Sequence, residues 1–181
     1  MSKVFAKNLV ITGSAGTGKT TLIREVLLPF KGKAGGFITE EIRENGVRMG
    51  FRLHDLEGNS GILASKALAS PVRLNKYGID LGVLESIGVA AVRKALENRR
   101  IVILDEIGSM EILSEPFRTA VLEALSGPLP VLATIRLGAQ PFTDSIKKME
   151  QTQVIDLTRD NFADVRLKTR TWLEWAARQT S

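Results

Sequence analysis

Gly13-Ser14-Ala15-Gly16-Thr17-Gly18-Lys19-Thr20 satisfies every fixed position of the phosphate-loop pattern G-x-x-x-x-G-K-[ST]. The apolar run Leu9-Val10-Ile11 precedes it, and Leu22, Ile23, Val26 and Leu27 follow at helical spacing. Strand, glycine loop and helix is the context in which that pattern holds phosphate. Gly13, Gly16 and Gly18 admit backbone turns closed to residues with a Cβ. Loop N–H groups can then converge on phosphate oxygens at a helix N-terminus. The expected nucleotide-binding segment is therefore Gly13, Ser14, Ala15, Gly16, Thr17, Gly18, Lys19 and Thr20, with Thr21 behind it. Lys19 is suited to the β- and γ-phosphates and is expected to be catalytic, while the Thr20 hydroxyl is suited to Mg²⁺.

A second signature lies downstream. Ile101-Val102-Ile103-Leu104 is an unbroken apolar run, as in a strand buried on both faces of a parallel sheet, and it ends in Asp105-Glu106. Acids at the C-terminal end of such a strand stand where α/β sheets bind ligands. Asp105 is expected to hold Mg²⁺ opposite Thr20. Glu106 is expected to orient and deprotonate the attacking water. Thr134 ends the strand expected beside 101–104, where a hydroxyl can sense the γ-phosphate or the water; a structural strand-end threonine is the alternative. Arg136 follows, as a phosphate-reaching or a surface arginine. His54 is the only histidine and has no metal-ligand partners in sequence.

The remaining pattern alternates helix and strand, with one interruption. Helices are expected over 19–29 (closing near Pro29), 81–97, from Ser114 as N-cap with Pro116 in the first turn, over 141–149, and over 161–178. Strands are expected over 7–12, 101–104, 131–134 and 154–157, with one short strand in 72–79. The interruption is an antiparallel meander at about 36–65, with a tight turn at Asn45-Gly46. Its Thr39, Glu40, Glu41, Arg43, Arg48 and Arg52 suggest contacts to ribose, base or phosphate. Trp172 and Trp175 read as packing anchors.

The 181 residues, 44% hydrophobic and 25% charged, fit one domain over 1–181 with an ordinary core. No apolar run reaches the length of a membrane span, and the N-terminus does not read as a signal peptide. The lack of cysteine excludes disulfides and thiolate zinc sites and suits a cytoplasmic protein. The net charge of +5 suits anionic substrates; nucleic acid is compatible but has no dedicated module to support it.

Further blocks occur in order: Gly36-Phe37-Ile38-Thr39-Glu40-Glu41-Ile42-Arg43, Gly50-Phe51, Lys76-Tyr77-Gly78-Ile79, Asp105-Glu106-Ile107-Gly108-Ser109-Met110-Glu111 and Leu132-Ala133-Thr134-Ile135. With the phosphate loop they resemble the THEP1 nucleoside-triphosphatase family over nearly the whole chain. The resemblance implies an α/β phosphate-loop fold of the RecA-like ATPase type: three layers, with a mostly parallel central sheet extended by antiparallel strands. It implies slow, Mg²⁺-dependent hydrolysis of ATP, GTP and other nucleoside triphosphates to diphosphates. CTP and UTP are expected among the substrates, broad base tolerance follows if contacts concentrate on the triphosphate, and a monomer is expected. The family commonly has lysine where this chain has Ser109, and proline where it has Arg136. Two other readings stand beside hydrolysis: a nucleotide kinase and a nucleic-acid-stimulated ATPase.

Overall fold

The computed structural model describes residues 5–180. β1 (Asn8–Gly13) runs through the phosphate loop into α1 (Lys19–Leu27). α1 stops two residues short of the expected end. Pro29 sits at the start of a 3₁₀ segment, Leu28–Lys33, where its missing N–H costs nothing, so it opens a tighter turn instead of closing the helix. β2 (Ala34–Glu44), β3 (Val47–Asp55) and β4 (Ser60–Ser65) form the expected meander. Asn45 and Gly46 make its first turn with φ of 48° and 78°, the two positive values that a two-residue hairpin needs.

The expected single strand in 72–79 is instead a hairpin of β5 (Arg73–Leu74) and β6 (Tyr77–Ile79). Asn75 turns it in the left-handed region at φ 53°, a conformation that asparagine tolerates. The expected helix 81–97 is present in three parts: α2 (Leu81–Val83), a π segment (Leu84–Val89) and α3 (Ala90–Glu97). β7 (Ile101–Ile107) follows, then α4 (Glu115–Ser126), whose Ser114 cap accepts the Phe117 N–H at 3.2 Å. β8 (Val131–Arg136), α5 (Pro141–Lys147), β9 (Thr152–Asp156) and α6 (Phe162–Gln179) complete the order.

All nine strands join one sheet in the order β5-β6-β4-β3-β2-β7-β8-β1-β9. β2, β7, β8, β1 and β9 are parallel neighbours, and the rest pair antiparallel. Successive side chains of the central strands feed opposite faces. Leu9, Ile11, Ile101 and Ile103 pack with Leu22, Ile23, Trp172 and Leu173 from α1 and α6. Val10, Val102, Leu104 and Ala133 pack with Val92, Ala95, Phe117 and Val121 from α3 and α4. The result is the expected three-layer fold. Both tryptophans pack as expected: Trp172 is fully buried, and Trp175 lies between Phe5 and Trp172.

β2 belongs to both halves of the sheet. Ala34 to Ile38 pairs in parallel with Ile101 to Asp105, and the strand then continues beyond β7 paired only with β3. Gly36 permits the close approach: at φ 115°, a Cβ there would stand 2.1 Å from the Ile103 carbonyl oxygen. Through this pairing the meander becomes one wall above the sheet's C-terminal ends.

Candidate active site

β1, β7 and β8 end side by side, with β8 between the other two. The loop after β1 therefore faces Asp105 and Glu106 at the end of β7. Gly18 begins α1 at φ 93°, with the Phe162 ring 3.1 Å from where a Cβ would stand. No L side chain suits that position. Lys19 is 7% exposed; its Nζ donates to the Gly13 carbonyl at 2.8 Å and to the Ser14 carbonyl at 3.2 Å. The same ammonium stands 3.6 Å from Glu106 Oε2. The Thr17 hydroxyl ties the loop by donating to the Ser14 carbonyl at 2.9 Å.

A cavity of about 710 Å³ opens over these groups. Ala15, Gly16, Gly18, Lys19, Thr20, Thr21 and Glu106 line one end of it. Gly13, Ser14 and Thr17 are not in its wall; they shape the loop and hold Lys19. Asp105 lies beneath the wall, 1% exposed. Its Oδ1 accepts the Thr134 hydroxyl at 2.5 Å. Burial pushes its pKa up to about 6, against the Thr134 hydrogen bond and the nearby Thr20 hydroxyl, which favour the charged form. Its Oδ2 is buried without any hydrogen-bond partner.

That orphaned oxygen tests the metal that the resemblance implies. A hydroxyl and a carboxylate are hard oxygen donors, and Mg²⁺ is commonly held by one or two such groups, phosphate oxygens and water. Thr20 and Asp105 fit it. Among the described residues no group of three or more histidine, cysteine, aspartate or glutamate side chains is arranged to hold a metal ion.

Thr134 is fully buried and bonds Asp105, so its link is to the carboxylate and not to the cavity. Arg136 is exposed at the cavity edge. His54 is half-buried on β3 and bonds Glu40 at 2.8 Å. Of the meander's polar residues, Thr39, Glu40, Glu41, Arg43 and Arg48 line the cavity and Arg52 does not.

Glu111 closes the Asp105-to-Glu111 block of the sequence, where it carries no assigned role, yet it faces the same cavity at 6% exposure. Its Oε2 accepts the Gly108 N–H at 3.1 Å. Burial, then the nearby Glu106 carboxylate, push it up to about 8. Asp105, Glu106 and Glu111 thus form an acidic cluster beside Lys19. The available signal was a third acid six residues past Asp105, but nothing in the spacing says that the chain turns back.

No helix among the described residues is long and apolar enough to cross a membrane. Residues 8–169 match the family model described as NTPase. A protein of Thermotoga sp. (strain RQ2), "Nucleoside-triphosphatase THEP1", is 42% identical over 153 residues, covering 84% of this chain and 87% of that one. One of the same name from Methanocaldococcus jannaschii is 38% identical over 130 residues, covering 70% and 76%. The crystal structure of THEP1 from Aquifex aeolicus superposes with TM-score 0.85 at 31% identity, covering 92% of this chain and 99% of that one. The solution structure of a human cancer-related nucleoside triphosphatase gives TM-score 0.78 at 30% identity, covering 93% and 98%. Identity along nearly the whole chain and a shared fold agree: the chain belongs to the THEP1 nucleoside-triphosphatase family.

Proposed function

We propose that this chain, a nucleoside-triphosphatase by family, hydrolyses ATP, GTP, CTP and UTP to diphosphate and phosphate with Mg²⁺, slowly and with little base preference. The observation that carries the reading is the meeting of Lys19, Thr20, Asp105 and Glu106 at one end of one cavity. A tolerant base preference fits because these groups address the triphosphate. A monomer is the expected form, and the cytoplasm, where nucleoside triphosphates are held, is its expected setting.

In this reading the loop N–H groups and Lys19 bind the β- and γ-phosphates. Lys19 must exchange its carbonyl contacts at Gly13 and Ser14 for phosphate oxygens, stronger partners for an ammonium. Thr20 and Asp105 hold the metal, which when bound neutralises charge on the β- and γ-oxygens. Thr134 fixes the Asp105 carboxyl by its hydrogen bond. Glu106 accepts a proton from the water that attacks the γ-phosphorus in line with the leaving diphosphate.

The test is free-phosphate release from each of the four triphosphates with Mg²⁺, with and without chelator. Release from all four, lost with chelator and in Lys19→Ala and Glu106→Gln, is expected. Unchanged release in Lys19→Ala would remove the site from this loop.

A further inference from the structure

The cavity continues well past the end that suits a triphosphate. β6 lies four inter-strand spacings from β7 in the sheet order, about 19 Å at the usual strand separation. Yet Asn75, Lys76 and Tyr77 of the β5–β6 hairpin line the same cavity as Lys19. A water molecule takes about 30 Å³ of liquid, whereas pockets for small organic ligands run about 300–1,000 Å³. At about 710 Å³ the cavity is of organic-ligand size, and the phosphate loop and Glu106 line only part of it.

The distant wall has a definite chemistry. Glu41 accepts from Arg43 at 2.8 and 2.6 Å and from Arg48, so one carboxylate holds two guanidinium groups together. Arg48 keeps its Nε–H buried with no partner, and the Thr39 hydroxyl nearer Glu106 is also buried without one. Lys76 adds a third cation to this wall, while the neighbouring Glu40 is engaged by Arg24 at 3.4 Å and His54 at 2.8 Å. A guanidinium fork is matched to carboxylate or phosphate oxygens. The Phe51 and Tyr77 rings, 5.6 Å apart and edge to face, add an apolar floor beneath Arg48. Glu106, 3.6 Å from Lys19 and 30% exposed by its side chain, lines the same cavity as this wall.

We infer that this distant wall seats a small alcohol bearing a phosphate or carboxylate group, and that the protein transfers the γ-phosphoryl group to its hydroxyl. The inference rests on the nucleotide reading above, with hydrolysis as the same transfer when water occupies the acceptor seat. The acceptor oxygen forms a bond to the γ-phosphorus and its proton passes to Glu106. The bond from the γ-phosphorus to the bridging oxygen breaks, and its electron pair leaves with the nucleoside diphosphate. Arg48 and Arg43 grip the acceptor's anionic group, which points its hydroxyl back toward Glu106.

The experiment uses the full chain with Mg²⁺ and ATP labelled at the γ-phosphate. Separate reactions contain ribose 5-phosphate, glycerol 3-phosphate or glycerate, and products are resolved by chromatography. Label is expected in at least one of these probes; the first two against the third distinguish phosphate from carboxylate recognition. Arg48→Ala should lower the ratio of transfer to hydrolysis roughly ten- to a hundredfold, the worth of a charge-assisted hydrogen bond. Because the ratio is internal to one sample, partial misfolding does not mimic it. Calorimetric titration of the labelled probe into metal-free protein should show the same weakening. Hydrolysis with no labelled probe, or a ratio unmoved by Arg48→Ala, overturns the acceptor site alone. No turnover of nucleotide at all overturns the hydrolase reading beneath it.

Discussion

Thr134 donates its hydroxyl to Oδ1 of Asp105 at 2.5 Å, from the neighbouring strand and wholly out of solvent. With Oδ1 engaged, Oδ2 remains the oxygen available to a metal. Removing a partner that orients a metal ligand typically costs about 10–100-fold in metal affinity or activity. Thr134→Val should therefore raise the Mg²⁺ concentration for half-maximal phosphate release within that range, whereas Thr134→Ser should stay near the parent. An unchanged Mg²⁺ titration in the valine variant would leave Thr134 with a packing role only.

Glu106→Gln separates binding from chemistry. The amide keeps the size of the side chain but cannot take a proton from water. General-base contributions run at about 10²–10⁴-fold, so kcat should fall by about that factor while a fluorescent triphosphate analogue still binds. Loss of binding together with kcat would mean that Glu106 mainly holds Lys19, 3.6 Å away.

Glu111 imposes a pH dependence on stability. Its proton is held to about pH 8 in the folded chain, against an ordinary value of 4.5. Between those values the folded state binds more protons than the unfolded state, so stability falls as pH rises through the window. Asp105 acts in the same direction between 3.8 and about 6. Glu111→Gln should have a melting temperature near that of the parent at pH 4.5 and above it at pH 9, with the gap opening between. Thermal melts of both proteins across pH check this; parallel curves would show that Glu111 ionises freely in the fold.

Trp172 anchors α6 to the chain before β1. The side chain is 1% exposed, and its indole N–H donates to the Ala6 carbonyl at 2.8 Å. Trp172→Ala should cost about 3–5 kcal/mol. Trp172→Phe, which keeps most of the apolar volume, should cost less. Denaturant unfolding measures both, and a loss under 1 kcal/mol for alanine would show the site collapsing around the smaller residue.

Much of this architecture was legible because its causes are local. A glycine loop between an apolar run and a helical face, Asn45-Gly46 between alternating segments, and Ser114 before Pro116 each carry their instruction within a few residues. The continuous apolar strands also announced a sheet covered on both sides. What stayed hidden depends on contacts distant in sequence. Thr134 bonds a residue 29 positions away, and Glu111 owes its shifted proton to burial beside Glu106. The β5–β6 turn was missed because Asn75-Lys76 lacks the glycine that marks Asn45-Gly46. The π segment within 81–97 preserves the apolar stripe that predicts an ordinary helix, and so leaves no mark in the pattern.

β2 passes from the parallel core into the cavity wall, and this divides the working surface unevenly along the gene. The groups proposed to serve the triphosphate and its metal come from scattered points: residues 13–21 and 105–106, with Thr134 behind Asp105. The distant wall, from Thr39 to Tyr77, is encoded as one unbroken stretch, joined to the parallel sheet through β2 and to the core through Leu53, Leu63 and Ala64. Such a stretch behaves as an interchangeable head on a fixed handle. Substitution, or replacement of the whole segment beyond Ile38, can redraw what the chamber admits while the phosphate machinery stays as it is, so relatives can diverge in acceptor without having to reinvent turnover.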